Sequence, residues 1–160
     1  MKKQFRKIDI VVFVFTGLVI VGMFLYLAIA WKSIPDRIPA NFTTSGEILT
    51  YESKGYLFSV PIALLLMSSV LIVAGCIPSA WNIPKVKITL KNEPYIRVCI
   101  RAMIDIMLLL ITIAMSITFL SLLNGRPAPL FPLIILGVLF LGNCIFWCIR
   151  TTRIAKQIGE

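Results

Sequence analysis

Four stretches of the chain are nearly unbroken runs of apolar residues, and the connectors between them gather most of the charge. An α-helix rises about 1.5 Å per residue and a bilayer's hydrocarbon core is about 30 Å thick, so roughly 20 apolar residues suffice to cross it. The runs predict transmembrane helices over residues 10–31, 57–77, 98–123 and 130–149. They leave a long loop at 32–56, a second connector at 78–97, a short turn at 124–129 and a tail at 150–160. The predicted fold class is a single-domain, all-α integral membrane protein, a four-helix bundle with an ordered cap loop between helices 1 and 2.

The loop at 32–56 is the most informative connector. Pro35 and Pro39 fix their own backbone angles and bias Ile34 and Ile38 toward extended conformations. Ser45-Gly46 and Ser53-Lys54-Gly55 mark turns. Helix connections are usually far shorter, and loops this long are functional or disordered. Ile34, Ile38, Phe42, Ile48, Leu49 and Tyr51 supply apolar surface that a disordered segment lacks, so a compact cap is expected. In the second connector Pro78, Pro84 and Pro94 break any helix, while Val86 to Lys91 alternates apolar and polar residues and predicts a short strand or interfacial stretch.

Composition agrees with the pattern: 59% of residues are hydrophobic and 14% charged, too little polar material to coat a soluble globule. The formal charge of +9 is placed unevenly. Lys2, Lys3, Arg6 and Lys7, then Lys85, Lys87, Lys91, Arg97 and Arg101, then Arg150, Arg153 and Lys156 lie toward one side; Lys32, Arg37, Lys54 and Arg126 lie toward the other. The positive-inside rule then puts both termini in the cytoplasm and the cap outside. Juxtamembrane charge of this kind suits the lipid bilayer as partner, not nucleic acid. Trp31, Tyr51 and Tyr56 fall near the outer interface and Trp81, Tyr95 and Trp147 near the inner one, as amphipathic rings prefer. Ala28-Ile29-Ala30 resembles a signal-peptidase site, but the preceding apolar run of about 20 residues exceeds a 7 to 15 residue signal core.

The chemistry available is narrow. The chain has no histidine and seven acids, so the commonest general base and zinc ligand are missing and no nucleophile with an orienting base can be assembled. No enzymatic activity, metal or cofactor is expected. Cys76, Cys99, Cys144 and Cys148 cluster near the inner helix ends but form no Cys-x-x-Cys pair, and are read as small buried hydrophobes. Within the membrane, Arg97, Arg101 and Asp105 recur at a spacing of four, with Thr112 and Ser116 extending the stripe, so helix 3 should turn this face into the bundle. Asn143 and Asp9 are candidate partners. This face reads either as a structural Arg101–Asp105 pair or as a relay in an accessory or transport subunit. Asn41-Phe42-Thr43 also fits a glycosylation acceptor.

The run Ile34-Pro35-Asp36-Arg37-Ile38-Pro39, then Asn41-Phe42, Gly46, Tyr51 and Ser53-Lys54-Gly55, followed by a span containing Pro61, resembles a bacterial membrane family, the domain of unknown function 1648. In SdpI-like immunity and signalling proteins it forms the N-terminal part. The resemblance covers about residues 25 to 70. Asn41 stands where that family usually has a histidine, Ile48-Leu49 where it has Pro-Asp, and the second half lacks the C-terminal SdpI motif. The resemblance implies a multi-pass protein of the bacterial cytoplasmic membrane that resists or senses an extracellular peptide toxin or ligand. Its cap would carry Pro35, Asp36, Arg37, Pro39, Asn41, Phe42, Gly46, Tyr51 and Lys54, and its inner surface could hold a cytoplasmic protein partner. Turn-forming roles account for the same cap residues.

Overall fold

The computed structural model describes residues 6–43, 45–77 and 88–159. Among them are four helices, α1 (Lys7–Ala30), α2 (Ser59–Cys76), α3 (Glu93–Leu123) and α4 (Leu130–Gly159), each long and apolar enough to cross a membrane. Between α1 and α2 lie two antiparallel strands, β1 (Arg37–Phe42) and β2 (Ile48–Ser53), then a 3-10 turn at Lys54–Phe58. The cap is thus a β-hairpin on an all-α integral membrane protein.

Two helices outrun their predicted limits by five residues or more. α3 begins five residues before the expected 98 because Thr89 and Asn92 form a reciprocal cap. The Thr89 N–H donates to Asn92 Oδ1 at 2.8 Å, and the Asn92 N–H donates to Thr89 Oγ1 at 3.3 Å. Pro94 then sits in the first turn, where a missing N–H costs nothing. α4 runs on through the predicted tail, whose Arg150, Arg153 and Lys156 are polar but good helix formers. The strand expected over 86–91 falls partly outside the described residues, and Ile88–Lys91 forms no strand.

α1 and α3 run parallel in a constant register. α1 buries Asp9, Val12, Thr16, Ile20, Met23 and Leu27, and α3 buries Arg101, Asp105, Leu108, Thr112, Phe119 and Leu122. This three-and-four spacing belongs to ridges-in-grooves packing near +20°. Thr16 meets Thr112 across the seam, 96 positions apart, and Asp9 and Asp105, also 96 apart, share one arginine. α2 returns antiparallel, with Gly75 near its end so close to α3 that an added Cβ would lie 2.8 Å from Ile104 Cδ1.

α4 is also antiparallel to α3, with Asn143 Nδ2 donating to the Met103 carbonyl at 3.0 Å and Ala155 beside Ile96 and Ile100. Of the 20 apolar-stretch residues at 130–149 only Asn143 is buried inside the protein, so α4 flanks α3 and does not close a four-helix bundle. Lipid is as apolar as leucine, so hydrophobicity does not distinguish a helix facing lipid from one facing its neighbours.

Candidate functional site

The hairpin is anchored at its base by an ion pair and, just inside β1, by a buried isoleucine. Asp36 accepts from Lys54 Nζ at 2.8 Å, and the Lys54 N–H donates to the Asp36 carbonyl at 3.0 Å. The Lys54 ammonium also lies 5.0 Å from the centre of the Trp31 ring at the end of α1, and Trp31 packs on Phe58. This hydrogen bond to Lys54 holds the Asp36 carboxyl below the usual carboxylate range. At the second position of β1, Ile38 is 4% exposed and packs with Leu27, Leu57 and Leu122. Across the strands Pro39 faces Tyr51 and Asn41 faces Thr50, with a register irregularity on each side of Asn41. The Asn41 amide donates to Thr50 Oγ1 at 2.7 Å. All of β2 is exposed, including Leu49 and Tyr51.

A cleft of about 600 Å³ opens between this hairpin, the last turns of α3 and the α3–α4 connector. Asn41, Phe42, Thr43 and Gly46 form its hairpin wall, Thr118, Ser121 and Leu122 its α3 wall, and Arg126, Pro127 and Pro129 its connector wall. Two glycines in left-handed conformations let these parts meet. Gly46 has φ +89° and would place a Cβ 3.8 Å from Pro127; Gly125 has φ +61° and would place one 3.6 Å from Pro39. Arg126 is exposed, and its guanidinium has no ion pair or hydrogen bond among the described residues. The cleft therefore offers one free cation among the described residues, hydroxyls from Ser121 and Tyr56, and apolar surface from Phe42, Leu122 and Leu130. That set suits a ligand with one anionic group on a partly apolar body.

At the opposite end lies a cluster of four charges. Asp9 is fully buried and accepts from the Arg6 N–H at 2.9 Å, Arg6 Nε at 2.7 Å and Arg101 Nη1 at 3.4 Å. Arg6 Nη2 bridges the two acids, 2.7 Å from Asp9 Oδ1 and 2.6 Å from Asp105 Oδ2. Arg101 and Asp105 are 6% and 5% exposed, and Asp105 Oδ1 has no hydrogen-bond partner among the described residues. Two cations against two carboxylates make the group formally neutral, which is what a low-dielectric site requires. About two helical turns along the seam, the Thr16 and Thr112 hydroxyls lie 3.2 Å apart.

Most predicted site residues are thus sorted into separate groups. Asn41, Phe42 and Gly46 line the cleft, Asp36 and Lys54 lock the hairpin base, Pro35 leads into it, and Arg37 and Tyr51 lie on the hairpin outside the cleft. Asp9, Arg101 and Asp105 come together as expected, whereas Arg97 is ion-paired with Glu93 one turn back. Asn143 does not reach Asp105, because its amide is taken by the Met103 carbonyl. The expected Arg101–Asp105 pair within α3 is replaced by pairs to α1 and the residue before it: Arg101 reaches Asp9 at 3.4 Å, and the 2.6 Å contact to Asp105 comes from Arg6, which in the sequence looks like topogenic charge alone. Arg126 looks the same there; the signal that singles it out is its Gly-Arg-Pro-x-Pro setting, a rigid turn presenting one cation.

Four membrane-crossing helices with a hairpin at one end and a buried ion cluster at the other define a multi-pass membrane protein. Residues 18–65 match the model of a family described as Domain of unknown function (DUF1648), in keeping with the resemblance carried by the proline-rich loop. The match runs from mid-α1 through the hairpin into α2 and covers less than a third of the chain; Asp9, Arg126, α3 and α4 lie outside it. No curated protein and no solved structure matches the chain significantly.

Proposed function

We propose that this is a non-enzymatic recognition protein of the immunity or toxin-sensing type, whose cap faces the outside of a bacterial cytoplasmic membrane and binds an extracellular ligand or peptide toxin. Both termini then lie in the cytoplasm, in accord with the basic residues gathered at their end. The observation that carries the reading is the cleft between hairpin and connector with its unpaired Arg126. Arg126 would take the ligand's anionic group, such as a peptide's α-carboxylate, while Phe42 and Leu122 take its apolar part. A signal to a cytoplasmic partner would pass through Ile38, which seats the hairpin directly on α1 and α3.

The test is survival of cells carrying the protein when challenged with membrane-active peptides, each offered with a free C-terminal carboxylate and as the amide. Arg126→Gln and Lys54→Ala should each reduce protection, and the amides should lose it. Asp105→Asn, at the far end of the seam, should leave it unchanged in any variant that still inserts. If only Asp105→Asn alters survival or ion flux, the cap is not the site.

A further inference from the structure

A second concave site lies on α4, away from the cap. It is a groove of about 500 Å³ whose walls include Phe146, Ile149, Arg150, Arg153, Ile154 and Gln157, residues that recur on one face of the helix. Its two ends differ in chemistry. Phe146 and Ile149 are 52% and 48% exposed and belong to the apolar stretch, while Arg150 and Arg153 are exposed cations just beyond it.

Depth explains why the change falls there. From Leu130 to Ile149 there are 20 residues without a charge, about 30 Å of helix, which equals the hydrocarbon thickness. Arg150 is the first charge after that stretch, so it emerges at the level of the phosphates. Its guanidinium lies 5.4 Å from the centre of the Trp147 ring, an aromatic at the interfacial position, which stiffens the side chain where a headgroup passes. Arg153, one turn further out, makes no ion pair among the described residues, and no acid lines the groove to neutralise either arginine.

We propose that this groove is a seat for one anionic phospholipid, its phosphate held between Arg150 and Arg153 and an acyl chain lying along Phe146 and Ile149. Arginine is the suitable cation because its planar fork can bind two phosphate oxygens at once. The seat is independent of the cap and needs no ligand there.

The experiment uses the full chain with Trp31→Phe and Trp81→Phe, leaving Trp147 as its single tryptophan, in bilayers of phosphatidylcholine and phosphatidylglycerol. Either lipid carries bromine on its acyl chains, so that contact quenches Trp147. Brominated phosphatidylglycerol should quench at well under its share of the bilayer. A direct charge-assisted hydrogen bond to the phosphate is worth about tenfold in affinity or more, so Arg150→Gln and Arg153→Gln should each lower the preference by about that factor. Lys156→Gln, which is outside the groove, should lower it far less. Equal quenching by the two lipids overturns the seat. So does an effect of Lys156→Gln as large as that of Arg153→Gln, which would mean diffuse surface charge. Displacement by soluble glycerol phosphate as readily as by short-chain phosphatidylglycerol overturns the lipid assignment, because the apolar floor would then contribute nothing.

Discussion

Asp9→Asn is the sharpest probe of how α1 is held to α3. The carboxylate is fully buried and accepts from Arg6 through both backbone and side chain and from Arg101 across the seam. Asparagine keeps the size and one acceptor oxygen, but it removes the charge and turns an N–H toward guanidinium donors. Arg101, 6% exposed, would then lie in a cluster carrying one net positive charge. Removing one partner of a buried ion pair costs about 3 to 5 kcal/mol. Arg6 is 32% exposed and can turn to solvent, so the lower part of that range applies, about 3 kcal/mol. The assay is unfolding in mixed micelles on titration with a denaturing detergent, followed by loss of helical circular dichroism. Arg101→Gln in the same background should cost less than it does alone, with a coupling above about 1 kcal/mol in the double-mutant cycle. A loss under about 1 kcal/mol for Asp9→Asn, or additive single effects, would refute the claim that this cluster fastens the helices.

Two further outcomes test the cap. Gly125→Ala forces a side chain into a left-handed backbone at φ +61° and should cost about 1 to 2 kcal/mol in the same titration, with the hairpin loosened because Pro39 rests on that glycine. The Asp36–Lys54 bridge should respond to acid. The Asp36 carboxyl is held below its ordinary value of 3.8, so the contribution of the bridge is fully present above that pH and is lost as pH falls through the lowered value. Trp31 fluorescence, which senses Lys54 over the ring, should change in that acid range, and Asp36→Asn should abolish the change.

The membrane spans are legible in the sequence because four runs of about 20 apolar residues in so short a chain leave too little polar surface for any fold in water. The cap is legible as an ordered body but not as a hairpin. Ser45-Gly46 signals the turn, yet Pro39 sits inside β1, where a proline argues against a strand. It is tolerated because β1 pairs on one side only and the ladder is irregular just after it. The buried cluster is half legible. Helical spacing brings Arg101 and Asp105 to one face, and that they meet Asp9 follows from α1 and α3 running parallel. The part of Arg6 is hidden, since a basic residue before a span reads first as topogenic charge. The cleft is not legible, because its walls come from segments about 80 residues apart that only the folded chain brings together.

The same geometry weighs recognition against transport. A relay from the buried cluster to the cap would need polar groups along the whole α1–α3 seam. Among the described residues the polar contacts between α1 and α3 end at Thr16 and Thr112, which already bond to each other, and Thr112 also donates to the Leu108 carbonyl. Beyond them the seam is filled by Ile20, Met23, Leu27 and Phe119, with Leu64 from α2, all buried. Between Thr112 and Phe119 this layer is about 10 Å thick at 1.5 Å per residue, and the hydroxyls that α3 carries there, Ser116 and Thr118, are already donated to the Thr112 and Ala114 carbonyls. The cluster and the cleft are therefore separated by packed hydrocarbon. What can cross that layer is a rigid shift of α1 against α3, the two helices on which Ile38 seats the hairpin. Arg6, Asp9, Arg101 and Asp105 fasten α1 to α3 at the far end of that layer.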